Sequence, residues 1–135
     1  VEAKAFGADA VLLIATCLDR VLLGELQQTA VSLGLSVLVE LYDPAEMDRV
    51  DVDVTEIMGV NSRDLKSFEV DLAGALHALN QLPDHVIRVA ESGIRTLDDF
   101  KQVRDQGIHA ALVGEAFMRD EHPGRYLQSI VDQLN

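Results

Sequence analysis

The apolar positions along this chain fall into short continuous runs, and each run is followed by a longer stretch with helical spacing. Ala10 to Leu18 reads AVLLIATCL, bounded by Gly7 and Asp9 before it and Asp19 after it, which predicts a strand buried on both faces. Asp19 offers an N-cap for a helix running to Leu33, with Val21, Leu22, Leu26, Ala30 and Leu33 on its inner side and Gly34 as its stop. The pair then repeats. Ser36 to Tyr42 is a second strand, and Asp43-Pro44-Ala45-Glu46 combines an N-cap, a proline at the first helical position and an acid at the third, so a short helix to about Val50 should follow. Ile57 to Val60 is a third strand ending at Asn61, and a polar loop from Ser62 to Glu69 leads to a helix across Leu72 to Leu82, ended by Pro83. Val86 to Ala90 is a fourth strand, Thr96 caps a helix that stops before Gly107, Ala110 to Val113 is a fifth strand, and a helix from about Gly124 to Leu134 closes the series. Asp51 to Glu56, DVDVTE, alternates like a strand edge but is read as a loop.

Strands and helices alternating at a spacing of roughly two dozen residues imply right-handed βαβ units and a parallel sheet. None of the five apolar runs has the polar alternation of a half-exposed antiparallel sheet. The 135 residues, 48% of them hydrophobic, suffice for one core, so residues 1–135 are expected to form a single domain. No stretch approaches the roughly 20 apolar residues of a membrane helix, and VEAKAFGADA does not read as a signal peptide, which points to the cytoplasm and away from a membrane. The lone cysteine, Cys17, makes no internal disulfide; at the end of an apolar run with no histidine nearby, it reads as a packed thiol ahead of a nucleophile. No Cys/His cluster has metal-ligand spacing, and His77, His85, His109 and His122 read as structural or exposed. With 11 basic against 23 acidic residues the formal charge is −12, which argues against a nucleic-acid partner. A small phosphate ester remains compatible, because backbone N–H groups and helix N-termini supply local positive potential.

In parallel α/β sheets, ligands bind beyond the C-terminal ends of the strands. The polar residues falling there are Glu40, Asn61, Glu91 and Glu115, with Arg63, Ser92, Gly93 and Gly114 beside them. Glu40 interrupts the apolar run VLVELY, where a carboxylate is costly to bury unless it is paired or works as an acid or base. Asn61 and Arg63 follow IMGV; an amide both donates and accepts, and a guanidinium grips an anion bidentately, although loop capping and a surface ion pair would use the same residues. Glu91-Ser92-Gly93 after VIRVA, and Gly114 after ALV, let the backbone approach an anion closely, and a short helix beginning after Gly114 would face it. Each alone is also an ordinary tight turn.

Taken in order, GADAVLLIATCL, LVELYD, MGVNSRDLKSFEVD, VAESGI and ALVGEAFM resemble strands four to eight of the indole-3-glycerol phosphate synthases. The combination of GVNSRDL, ESGI and VGE carries the resemblance, which covers nearly the whole chain. It implies an α/β fold that is a partial (β/α)8 TIM barrel, five parallel strands with intervening helices. It also implies a cofactor-independent lyase of tryptophan biosynthesis that closes the indole ring of a carboxyphenylamino-deoxyribulose phosphate with loss of carbon dioxide and water. By the resemblance Glu40 is the catalytic glutamate after strand five, Asn61 orients the ribulose hydroxyls, and Arg63 lies near the substrate's charged groups. Glu91 faces the substrate, while Ser92, Gly93, Gly114 and Glu115 form the phosphate site, with serine replacing Glu115 in some relatives.

The family's catalytic lysines belong to its first and third strands, and VEAKAFG matches the helix after the third, so nothing in this sequence corresponds to them. A full barrel needs about 250 residues. The chain is therefore expected to be inactive alone, and to leave two edges, at Ala10–Leu18 and Ala110–Val113, with Leu13, Val39 and Val89 or their neighbours exposed. Such edges call for self-association or for an N-terminal segment bearing the lysines. Two other readings stay open: a non-catalytic phosphate-binding half-barrel that self-associates, and another phosphate-binding barrel isomerase.

Overall fold

The computed structural model describes residues 1–64 and 67–134. After a short helix α1 (Glu2–Ala5), the chain alternates strand and helix: β1 (Ala10–Ile14), α2 (Arg20–Ser32), β2 (Ser36–Leu41), β3 (Ile57–Asn61), α3 (Leu72–Leu79), β4 (Ile87–Glu91), α4 (Leu97–Asp105), β5 (Ala110–Leu112), α5 (Glu115–Met118) and α6 (Pro123–Leu134). All four neighbouring strand pairs are parallel, in the order β1-β2-β3-β4-β5. This is the arrangement of successive right-handed βαβ units, and it places every strand's C-terminal end on one rim.

Side-chain caps set the starts of three α-helices. The Asp19 carboxylate accepts from the Leu22 N–H at 2.9 Å, Asp71 from the Gly74 N–H at 2.9 Å, and Thr96 forms a reciprocal box with Asp99. The Asp43-Pro44-Ala45-Glu46 sequence also closes a capping box, but the turn it starts, Pro44–Arg49, is a 3₁₀ helix. Asp51 to Glu56 is an irregular connection, as read.

Several expectations need correction. The first strand does not reach Leu18: it ends at Ile14, and Ala15–Cys17 form a 3₁₀ turn whose Ala15 carbonyl accepts from the Arg49 guanidinium at 3.0 Å. Cys17 is carried to the surface by that turn, so it is an exposed free thiol and not a packed one. The inner side of α2 is the stripe Leu23, Gln27 and Ala30, spaced i, i+4, i+7; Val21, Leu22 and Leu26 lie outside it, Val21 being 70% exposed. Gln27 is tolerated in that buried stripe because its amide donates to the Thr55 hydroxyl at 3.0 Å, which gives both buried groups a partner.

Side chains alternate across the sheet, so its two faces differ. The main core lies on the helix-covered face, where Val39, Leu41, Met58, Val60 and Ala90 pack with Leu76, Leu79, Phe100 and Ile130. Val39 is therefore fully buried and Val89, on a strand paired on both sides, is only 7% exposed, contrary to expectation; Leu13 is half-buried. The exposure predicted for the open sheet falls on their neighbours instead, Leu12 at 40% and Leu112 at 48%, which lie on the two edge strands of the described sheet. Among the described residues no helix is long and apolar enough to cross a membrane.

Candidate active site

Glu40, Asn61 and Glu91 end β2, β3 and β4 on the face opposite the helices, and all three are buried. Register brings them together: Glu40 lies opposite Gly59, and Asn61 opposite Glu91. Asn61 donates from Nδ2 to Glu40 Oε1 at 3.3 Å and accepts at Oδ1 from the Arg63 N–H at 3.0 Å, which ties the carboxylate to the turn that launches Arg63. The Glu91 side chain lies across Gly59, where a Cβ would collide with its carboxyl group, so the glycine is what leaves space for a second acid beside Glu40.

Glu91 is 2% exposed, and its Oε1 has no hydrogen-bond partner. Burial, then the hydrogen bond to Glu40 and repulsion from it, push the Glu91 pKa up to about 8 from an ordinary value of 4.5. At neutral pH Glu91 is therefore expected to hold its proton. A buried carboxyl group whose pKa is brought near neutrality can both deliver and take back a proton beside a bound molecule.

The second part of the site lies one strand further on. Arg63, Ser92, Gly93, Gly114 and Glu115 line one cleft of about 80 Å³, roughly the space of two to three waters. Ser92 and Gly93 both have positive φ, 64° and 70°. At Gly93 a side chain would be strained by both conformation and space: a Cβ would stand 2.5 Å from Ser62 Oγ and 2.6 Å from Val70 Cγ1. Ser92 is a non-glycine held in the left-handed region, the kind of local strain that clusters at functional turns. Gly114 differs, with φ −115° and nothing within 4 Å of a would-be Cβ, so neither conformation nor packing demands a glycine. The Glu115 side chain reaches back to Arg63, Nη2 to Oε2 at 2.7 Å.

Three contributors were missed from sequence. Ser62 is buried, accepts the Asp71 N–H at its carbonyl, donates its own N–H to the Glu91 carbonyl, and sets its hydroxyl against Gly93. Its place between Asn61 and Arg63 was the available signal. Arg95 and Arg119 also reach Glu115, at 3.8 and 2.8 Å; Arg95 follows Ser92-Gly93 closely, whereas Arg119 had no sequence pattern to mark it. The four histidines are exposed, with His77, His85 and His109 in local hydrogen bonds. Among the described residues no group of three or more His, Cys, Asp and Glu could hold a metal ion.

Solved structures share the fold. 3-Hexulose-6-phosphate synthase from Salmonella typhimurium superposes with a TM-score of 0.77 over 98% of this chain and 65% of its own, at 17% identity. Thiamine phosphate pyrophosphorylase from Pyrococcus furiosus gives 0.70 over 98% and 63%, at 21% identity. These likenesses establish a partial TIM-barrel architecture. Sequence similarity is far closer to the indole-3-glycerol phosphate synthases of Salinibacter ruber, 48% identical over 130 residues, and Delftia acidovorans, 47% over 129 residues. Each match covers 96% of this chain and 48% of the relative, so the chain spans about half the length of the curated relatives it matches. The family model described as indole-3-glycerol phosphate synthase matches residues 1–130, and the chain therefore belongs to the indole-3-glycerol phosphate synthase family.

Proposed function

We propose that residues 1–135 act as one unit, the C-terminal portion of a cytoplasmic, cofactor-independent lyase that closes the indole ring of 1-(2-carboxyphenylamino)-1-deoxyribulose 5-phosphate. Carbon dioxide and water leave in the reaction. The observation that carries this reading is the buried pair Glu40 and Glu91, the second with its pKa pushed up to about 8, beside an amide at the ends of three adjacent strands. The ring carbon that bonds to the ketone carbon sheds its carboxylate as carbon dioxide, the ketone oxygen takes up protons and leaves as water, and the methylene carbon beside the nitrogen gives up a proton, transfers that two neighbouring carboxyl groups are suited to assist. Glu40 serves the acid/base steps, Glu91 faces the substrate, and Asn61 orients its hydroxyls. Arg63 and Ser92 bind the substrate's charged end, whose phosphate lies against Ser92, Gly93, Gly114 and the Glu115 segment.

The chain alone is proposed to be inactive, and to require a segment that supplies the family's lysines. Glu40→Gln in the complete enzyme is expected to lower kcat by about 10² to 10⁴ while leaving KM within a few-fold, because the change removes a proton carrier and keeps the side chain's shape. A near-normal kcat would end the assignment. A second reading, a half-barrel that binds phosphate and self-associates without catalysis, draws on the exposed Leu12 and Leu112 of the two edge strands. Light scattering separates the two: recovery of activity when the N-terminal segment is added favours the first, and a stable homo-oligomer that ignores the segment favours the second.

A further inference from the structure

Glu115 is shared by three guanidiniums. Arg63 Nη2 lies 2.7 Å and Arg95 Nη2 3.8 Å from its Oε2, and Arg119 Nη2 lies 2.8 Å from its Oε1. The three arginines come from the turn after β3, the connection from β4 to α4, and the end of α5, so one carboxylate gathers cations from three separate parts of the chain. Arg63, Arg95 and Glu115 all line the cleft beside Ser92 and Gly93.

We propose that Glu115 is an internal counter-ion: its carboxylate holds Arg63 and Arg95 at the mouth of this cleft and yields them to an incoming oxyanion, with Arg95 a direct contact for that anion. The inference rests on the reading of the cleft as the phosphate site. A carboxylate and a phosphate compete for the same guanidinium donors, since an arginine fork presents N–H groups in a fixed plane that either can occupy. The exchange costs little because the Arg63–Glu115 pair is partly open to solvent, with side chains 26% and 36% exposed, a class of ion pair that holds weakly. Among the four groups, three positive charges face one negative, so displacement of Glu115 leaves a cationic site in a chain whose formal charge is −12. The cost of ordering two long side chains is met before the ligand arrives.

The consequence runs against the simplest view of Glu115 as a phosphate ligand through its side chain, because removing the carboxylate should tighten binding. Inorganic phosphate is titrated calorimetrically into the 135-residue chain and its variants, with backbone amide spectra recorded at each point. Glu115→Gln is expected to tighten phosphate by about two- to five-fold, the factor by which a weak internal competitor reduces apparent affinity. Arg95→Gln is expected to weaken it by a similar factor. Asp98→Asn removes the same charge from the start of α4, where Asp98 pairs with Lys101, and should leave the affinity largely unchanged. Unchanged or weaker binding in Glu115→Gln, unchanged binding in Arg95→Gln, or an equal gain in Asp98→Asn would overturn the proposal. If phosphate moves none of the Ser92, Gly93 and Gly114 amides, the phosphate reading of the cleft fails first and this inference falls with it. If they move and Glu115→Gln gains nothing, only the counter-ion role is lost.

Discussion

The two halves of the site handle charge in opposite ways. At the ends of β2 to β4, like groups are forced together away from water, and Glu91 responds by keeping its proton. Along the cleft beside β4 and β5, opposite charges meet where solvent still reaches them, and Arg63, Arg95 and Arg119 pair with Glu115 through partly exposed contacts. Burial suits the proton-moving role proposed for the first, because it brings a carboxyl pKa near the operating pH. Partial exposure suits the anion exchange proposed for the second, because no fully desolvated charge has to be abandoned each time. The division also follows the fold: the carboxyls stand on strand ends in register, whereas the arginines come from turns and a short helix.

The largest effect expected from this contrast is a pH-dependent stability located in one residue. Glu91 has a folded pKa of about 8 against an ordinary 4.5, so between those values the folded chain keeps a proton that the unfolded chain releases. Stability should fall as pH rises from about 4.5 to about 8, by at most ~1.4 kcal/mol per pH unit, and level off beyond each end. Glu91→Gln imitates the protonated form and should flatten that window, leaving the variant more stable than the parent at pH 8. Urea midpoints at several pH values measure this directly. A parent chain whose midpoint does not fall across the window would refute the raised Glu91 pKa.

The cleft should answer to backbone shape more than to pH. Gly93→Ala places a methyl group against Ser62 and Val70 at φ 70°, so a loss of about 1 to 3 kcal/mol is expected, together with weaker phosphate binding. Ser92→Gly provides the opposite sign. It relieves a left-handed non-glycine residue and should leave stability unchanged or slightly higher, while removing a hydroxyl from the cleft. Thermal unfolding and phosphate titration of both variants check the pair, and equal losses in the two would show that the left-handed turn is not what shapes the site.

Much of this was legible in the residue pattern because parallel strands are continuous apolar runs and helices carry their own caps. Asp19, Thr96 and the Asp43 box announced their helices, and Glu40, Asn61 and Glu91 stood out as polar residues ending apolar strands. What stayed hidden was set by contacts between distant segments. Arg49 reaching the Ala15 carbonyl goes with a 3₁₀ turn that exposes Cys17, and Gln27 meeting Thr55 gives α2 a buried stripe that apolar counting had misplaced. The joining of Arg95 and Arg119 through Glu115 likewise depends on where three turns meet, which spacing along the chain does not encode.

The smallest effect, and the most selective, is expected at Gly114. Its φ of −115° lies outside the left-handed region and no atom stands within 4 Å of a would-be Cβ, so the chain itself gives no reason for a glycine. Its side-chain-free backbone instead borders the same cleft as Ser92 and Gly93, where a phosphate oxygen approaching closely would need the space a Cβ occupies. Gly114→Val should then leave unfolding free energy within about 0.5 kcal/mol of the parent, as for substitutions away from packed features, yet clearly weaken phosphate. Gly93→Ala loses both stability and binding, so the two variants separate a glycine needed by the fold from one needed by the ligand. Denaturant titration beside phosphate titration on one preparation gives both numbers. Unchanged affinity in Gly114→Val would move the anion away from the end of β5, and a large loss of stability would mean that the residue's role is structural after all.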